Sequence, residues 1–158
     1  MATRVAIALG SNLGDRRAAL AFASERLASL LTDTVLSDII ETDPVGEGLE
    51  DQPLYLNAAL VGDTNLEART LLDAMRQIEA DHGRTRPFPG AARTLDLDLI
   101  LFGDQTVIEP DLEVPHPRFR ERFFVLGPLA EIAPDMRDPL SGLKVVELLR
   151  ALLRDESR

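Results

Sequence analysis

The sequence predicts an α+β fold in which an antiparallel sheet carries helices on one face. Three observations predict it. Four runs of β-branched or alternating residues occur, at residues 4–10, 34–42, 54–64 and 93–104. Two stretches of helical spacing, 11–31 and 65–83, follow the first and the third of these runs. Two Pro/Gly-rich loops, 43–53 and 84–92, interrupt the pattern where an element must end. The resulting order, βαββαβ, is the ferredoxin-like split βαβ core, and further helices are added at its C-terminal end.

Each element has its own justification. "RVAIALG" (4–10) is apolar, β-rich and closed by a glycine. In 11–31, Leu20, Leu27 and Leu31 recur at helical spacing. "GSNLG", at that junction, reads as a tight turn, although a helix N-terminus there could also take an anion. "TVLSDIIET" (34–42) is the second strand. "DPVGEGLEDQP" (43–53) holds two prolines, two glycines and four acids, and a loop of that length hints at function. "LYLNAALVGDT" (54–64) is the third strand. Residues 65–83 form an amphipathic helix stopped by Gly83. "RTRPFPGAA" (84–92) is the second loop, and "RTLDLDLILFGD" (93–104) the fourth strand. Residues 114–135 begin in a turn and become helical after Pro117, and 144–153 form a last helix. With no repeat or linker in the chain, residues 1–158 read as one domain.

Composition narrows the function classes. Charged residues are 28% and hydrophobic ones 45%, as in a folded globular chain. No apolar run is long enough to span a bilayer, and the segment before Gly10 is too short for a signal peptide, so a cytoplasmic protein is expected. The absence of cysteine excludes disulfides, thiolate metal sites and cysteine nucleophiles. A net charge of −10 argues against nucleic-acid partners and anionic membranes. Lys144 is the only lysine. An anion site here would therefore be built from arginine, which forks onto phosphate, although an Arg-rich genome gives the same excess.

The fourth strand poses a question, because two aspartates lie inside it. Alternation puts Asp96 and Asp98 on one face and Leu95, Leu97 and Leu99 on the other. Two carboxylates with Cα atoms roughly 6.5–7 Å apart repel unless a cation lies between them. Such a pair suits Mg²⁺, which completes its shell with water and phosphate oxygens. Two acids on a solvated sheet face is the plainer alternative. Arginines flank the strand: Arg84, Arg86 and Arg93 before it, and Arg118, Arg120 and Arg122 after Pro117. These can clamp a polyanion or pair with surface acids. His116, between two prolines, is a phosphate ligand or a turn residue, and His82 suits its helix C-terminus. Tyr55 and Asn57 share a strand face and could stack on and read a flat heterocycle. Of Phe123 and Phe124, one is expected in the core. No P-loop or protein-kinase motif is present.

Together "ALGSNLGD", "DQPLYLNAAL", "GRTRPFPGAARTLDLDLILFG" and "VPHPRFRERFFVLGPLAEIAP" resemble the 6-hydroxymethyl-7,8-dihydropterin pyrophosphokinases of folate biosynthesis, in that family's order and nearly to residue 135. The resemblance implies Mg²⁺-dependent transfer of pyrophosphate from ATP to the pterin hydroxymethyl group, releasing AMP, by a protein that is expected to be a monomer. It implies that Asp96 and Asp98 bind two Mg²⁺ ions and that Asp98 helps the hydroxyl lose its proton. Arg84 and Arg93 match mobile-loop arginines that assist transfer and meet ATP, and His116 and Arg122 match triphosphate contacts. Asn57 matches the amide that reads the pterin edge. Tyr55 and Phe124 match the enclosing rings, and Thr42 and Val45 belong to a segment that meets the pterin's hydrogen-bonding edge. The chain departs from the family at "PFPGAA", where a tryptophan is common; Phe88 is the aromatic available there.

Overall fold

The computed structural model describes residues 2–12, 14–42, 54–83 and 95–156. In chain order the elements are β1 (Thr3–Ser11), α1 (Arg16–Leu30), β2 (Thr32–Leu36), β3 (Ile40–Thr42), β4 (Tyr55–Thr64), α2 (Ala68–His82), β5 (Asp96–Phe102), β6 (Val107–Glu109), β7 (Leu112–Val114), a 3-10 turn (Phe119–Glu121), α3 (Phe123–Ile132) and α4 (Val145–Glu156). The main sheet runs β2-β4-β1-β5, with β3 also on β4, and every pairing is antiparallel. This is the predicted ferredoxin-like core. Among the described residues no helix is long and apolar enough to cross a membrane.

The expected second strand is two strands. Ser37 divides them, because its hydroxyl takes the Ala59 N–H at 2.8 Å while its own N–H donates to the Ala59 carbonyl at 2.8 Å. A side-chain oxygen thus replaces a ladder carbonyl, and the chain bends. Of the expected "GSNLG" turn, Gly10 and Ser11 belong to β1 and Leu13 lies outside the described residues. Gly14 takes a left-handed φ of +66°, and the Asp15 carboxylate accepts the Ala18 N–H at 3.0 Å as the N-cap of α1. That bond occupies one of the donors an anion would need. The β6–β7 hairpin was not foreseen from sequence.

The sheet has a core on each face. On one, Ile7, Leu9, Leu95, Leu97 and Leu99 pack with Leu20 and Leu27 of α1 and Leu71 and Met75 of α2. On the other, Ala6, Ala59, Val61 and Leu101 pack with Leu126 and Leu129 of α3 and Leu148 of α4. The expectation of helices on one face holds for α1 and α2; the additional C-terminal helices cover part of the opposite face. A bulge helps this second core. The register shifts between Ala6 and Ile7, and Ile100 and Leu101 both join the α3/α4 side, while Leu99 and Phe102 stay on the other.

A candidate active site where the second sheet face is left open

Helix α3 covers only one end of its sheet face. At the other end a cleft of about 1320 Å³ remains. Its floor is a two-row pattern across three strands. Gly10 is paired with Asn57 on one side and Asp96 on the other, and Ala8 with Asp98 on the cleft side and with Ala59, which lies in the α3-covered core. Small residues on β1 therefore leave room above the sheet between the amide and the acids. A Cβ on Gly10 would stand 3.3 Å from Asn57 Oδ1, so glycine keeps that amide in place.

The cleft gathers every described residue that the sequence assigned to a site: Thr42, Tyr55, Asn57, Asp96, Asp98, His116, Arg122 and Phe124 all line it. Val45, Arg84, Phe88 and Arg93 lie outside the described residues. Asn57 is buried, and its Nδ2 donates to Thr42 Oγ1 at 2.7 Å. Burial, and then the negative charge of Asp96, push the Tyr55 phenol above its ordinary pKa, which keeps it a neutral donor. The Arg122 guanidinium lies 5.6 Å from the centroid of the Phe124 ring, within cation–π range.

His116 is held by two backbone bonds. Its N–H donates to the Ile100 carbonyl at 3.0 Å, and its Nδ1 accepts the Arg118 N–H at 3.2 Å. An accepting Nδ1 leaves the proton on Nε2, so the neutral ring presents a donor. Burial lowers its pKa most; Asp98 and Glu113 oppose that fall, and Arg122 and Arg118 add to it.

Asp96 and Asp98 are half-buried on the open face, while Leu95, Leu97 and Leu99 are buried on the helix-covered one. The buried Leu97 N–H donates to the Glu79 carboxylate at 2.8 Å, which closes the outer edge of β5. The donor set fits a hard divalent cation: two carboxylates on one face, above a floor of glycine and alanine. Among the described residues no group of three or more His, Asp or Glu converges as a metal cage. Mg²⁺ held partly by substrate phosphates asks for no such cage.

Several lining residues were missed from sequence. The cleft continues round the outer edge of β5, the sheet's edge strand, where Leu72, Arg76 and Glu79 of α2 line it, and Asp111 and Glu113 bring the β6–β7 hairpin. Arg76 Nη2 donates to the Asp111 carbonyl at 3.1 Å and ties the two together. The spacing of 72, 76 and 79 on an amphipathic helix was a readable signal. Of the arginines after Pro117, Arg118 and Arg122 line the cleft, whereas Arg120 binds Asp138. Of the 123–124 pair, Phe124 packs against the second core without being fully buried, and Phe123 does not. Phe124 is half-buried in the cleft, and Phe123, 43% exposed, lies over Gly127. The fully buried phenylalanine of this segment is Phe119. His82 ends α2 as expected, its ring centroid 5.2 Å from that of Phe22.

A family model described as 7,8-dihydro-6-hydroxymethylpterin-pyrophosphokinase (HPPK) matches residues 6–134. The chain belongs to this family. Relatives include two proteins named 2-amino-4-hydroxy-6-hydroxymethyldihydropteridine pyrophosphokinase. That of Pseudomonas aeruginosa is 42% identical over 153 residues, covering 96% of this chain and 93% of its own. That of Bacillus subtilis is 48% identical over 130 residues, covering 80% and 75%. The fold is also that of the Plasmodium falciparum HPPK-DHPS crystallised with pterin and p-hydroxybenzoate. There the TM-score is 0.76 at 12% identity, over 99% of this chain and 44% of the other. The chain thus spans less than half of that solved protein.

Proposed function

We propose that this HPPK-family chain transfers pyrophosphate from ATP to the hydroxymethyl group of 6-hydroxymethyl-7,8-dihydropterin, a step in folate biosynthesis. The observation that carries the reading is the gathering, in one cleft, of an acid pair, a cationic wall and an aromatic–amide pocket. In the reaction the hydroxymethyl oxygen bonds to the β-phosphorus as the bond from that phosphorus to the αβ-bridging oxygen breaks. AMP leaves with the bridging oxygen, and the pterin keeps the diphosphate.

Each group has a part. Asn57 offers donor and acceptor to the pterin edge, with Thr42 and Val45 beside it. Tyr55 and Phe124 enclose the ring. Arg122 and the Nε2–H of His116 meet the triphosphate, and Arg84 and Arg93 join them from their loop. Asp96 and Asp98 would hold Mg²⁺, two ions in this reading, which when bound neutralises phosphate charge and polarises the reacting oxygens. Asp98 also eases loss of the hydroxyl proton. Catalysis is then positioning and charge stabilisation, with no covalent intermediate required. A monomer is the working unit in this reading.

Incubation with ATP, Mg²⁺ and the pterin alcohol tests the reading. AMP and the pterin diphosphate are expected in equal amounts. ADP or free pyrophosphate as the product would overturn it.

A further inference from the structure

Arg120 stands between two cleft-lining arginines, yet its guanidinium turns away from the cleft. Its Nε donates to Asp138 Oδ2 at 2.5 Å and its Nη2 to Oδ1 at 2.7 Å. The same group lies 4.7 Å from the centroid of the Phe119 ring. Asp138 is fully buried. Its Oδ2 also accepts from Ser141 Oγ at 2.7 Å and its Oδ1 from the Leu140 N–H at 3.1 Å. Its backbone closes the same turn, with the N–H donating to the Leu143 carbonyl at 2.9 Å and the carbonyl accepting the Gly142 N–H at 2.7 Å. The carboxylate is thus a rigid socket, built by residues that lie beyond the 6–134 family match.

The 3-10 turn that carries Arg120 is only three residues long. Its own bonds are few and long, such as the Arg122 N–H to the Phe119 carbonyl at 3.3 Å. A turn of this kind does not fix its side chains by itself. Buried Phe119 holds it at one point. The Arg120 fork holds it at a second and, being bidentate, sets orientation as well as distance. A buried ion pair is a weak source of net stability, since apolar packing of equal volume serves as well. Orientation is what the fork adds.

We propose that Arg120 and Asp138 are positioning residues, which aim Arg118 and Arg122 at the polyanion in the cleft, and that the C-terminal turn is thereby part of the site's scaffold. The proposal rests on the reading of the cleft as an ATP site.

Three variants test it: Arg120→Lys, which keeps charge but loses the fork, Asp138→Asn, and the mild Ser141→Ala. Each is compared with the wild type by thermal melting and by affinity for α,β-methylene ATP with Mg²⁺ and for the pterin alcohol. The expected result is a cooperative melt, an analogue Kd raised about tenfold in the first two variants and about fivefold in the third, and pterin Kd within about twofold throughout. Equal weakening for both ligands, or a lowered melting temperature with unchanged analogue affinity, would overturn the proposal. Should the first two variants fail to fold, Ser141→Ala decides by the same criterion. A wild-type chain that does not bind the analogue would overturn the reading of the cleft, and the positioning proposal with it.

Discussion

Asn57 and Asp96 flank Gly10 in a single row of the sheet, the amide on β4 and the acid on β5. In the proposed function, that row sets the amide assigned to the pterin beside an acid assigned to the metal, with nothing but a glycine between them. The short separation is what a transfer between a bound heterocycle and a bound triphosphate needs.

Gly10→Ala is expected to disturb this row without unfolding the chain. The added Cβ would press on Asn57 Oδ1 at 3.3 Å, and the amide, held by Thr42, has to shift to relieve it. Pterin affinity is expected to fall about tenfold, as when one good hydrogen bond is lost. Asn57→Ala is expected to do at least as much, and neither variant to change ATP-analogue affinity beyond about twofold. Calorimetry with each ligand checks this, and equal losses for both would misplace the pterin site.

Asp98→Ala and Asp96→Ala are expected to lower turnover by about 10²–10³ each, the usual cost of removing a charge-stabilising group. Their side chains are half-buried on an open face, so melting temperature is expected to stay within a few degrees of wild type. Turnover at saturating Mg²⁺, with melting curves alongside, is the measurement. Near-normal rates in either variant would remove that acid from the metal site.

Much of this arrangement was legible because strand alternation has a period of two. Once 95–99 is read as a strand, Asp96 and Asp98 must share a face opposite the leucines. The helix-covered side of α1 and α2 followed for a similar reason. The placement of α3 did not. Its segment, Phe123–Ile132, is apolar on nearly every side, with Glu131 its only charge, so no stripe says which sheet face it covers. Ala6, Ala8 and Ala59 are equally silent about faces. The β2–β3 break depends on a Ser37 hydroxyl meeting a strand 22 residues away, and the Arg120 fork on a carboxylate 18 residues away. Such contacts are written by tertiary proximity, which local pattern does not carry. The three-residue strands of the 107–114 hairpin are too short for periodicity to register.

Arg84→Ala and Arg93→Ala are expected to lower kcat more than they weaken binding of either ligand. The expectation comes from their place in the sequence, where they frame the loop before the acid strand. Contacts that tighten as charge develops appear in the chemical step rather than in ground-state affinity. Single-turnover kinetics beside equilibrium binding separates the two. A pure binding loss with unchanged chemistry would make these arginines ground-state anchors.

The Asp138 socket gives an acid-stability prediction with a definite sign. Burial alone would raise this carboxyl. Hydrogen bonds from Arg120, Ser141 and the Leu140 N–H, with the charge of Arg120, outweigh it and bring the pKa down to about 2 from an ordinary 3.8. A folded-state pKa below the unfolded one contributes stability that is fully present above about pH 4 and is lost as pH falls toward about 2. The side chain has no exposure, and at about 1.4 kcal/mol per pH unit the contribution is about 2 kcal/mol. Asp138→Asn cannot titrate, so its unfolding free energy is expected to depend less on pH over that window. The deficit it shows near neutrality is expected to shrink as wild type is acidified. Urea unfolding from pH 7 down to about pH 2 measures both curves. If they run parallel through the acid range, the Asp138 carboxyl is not held low by its partners.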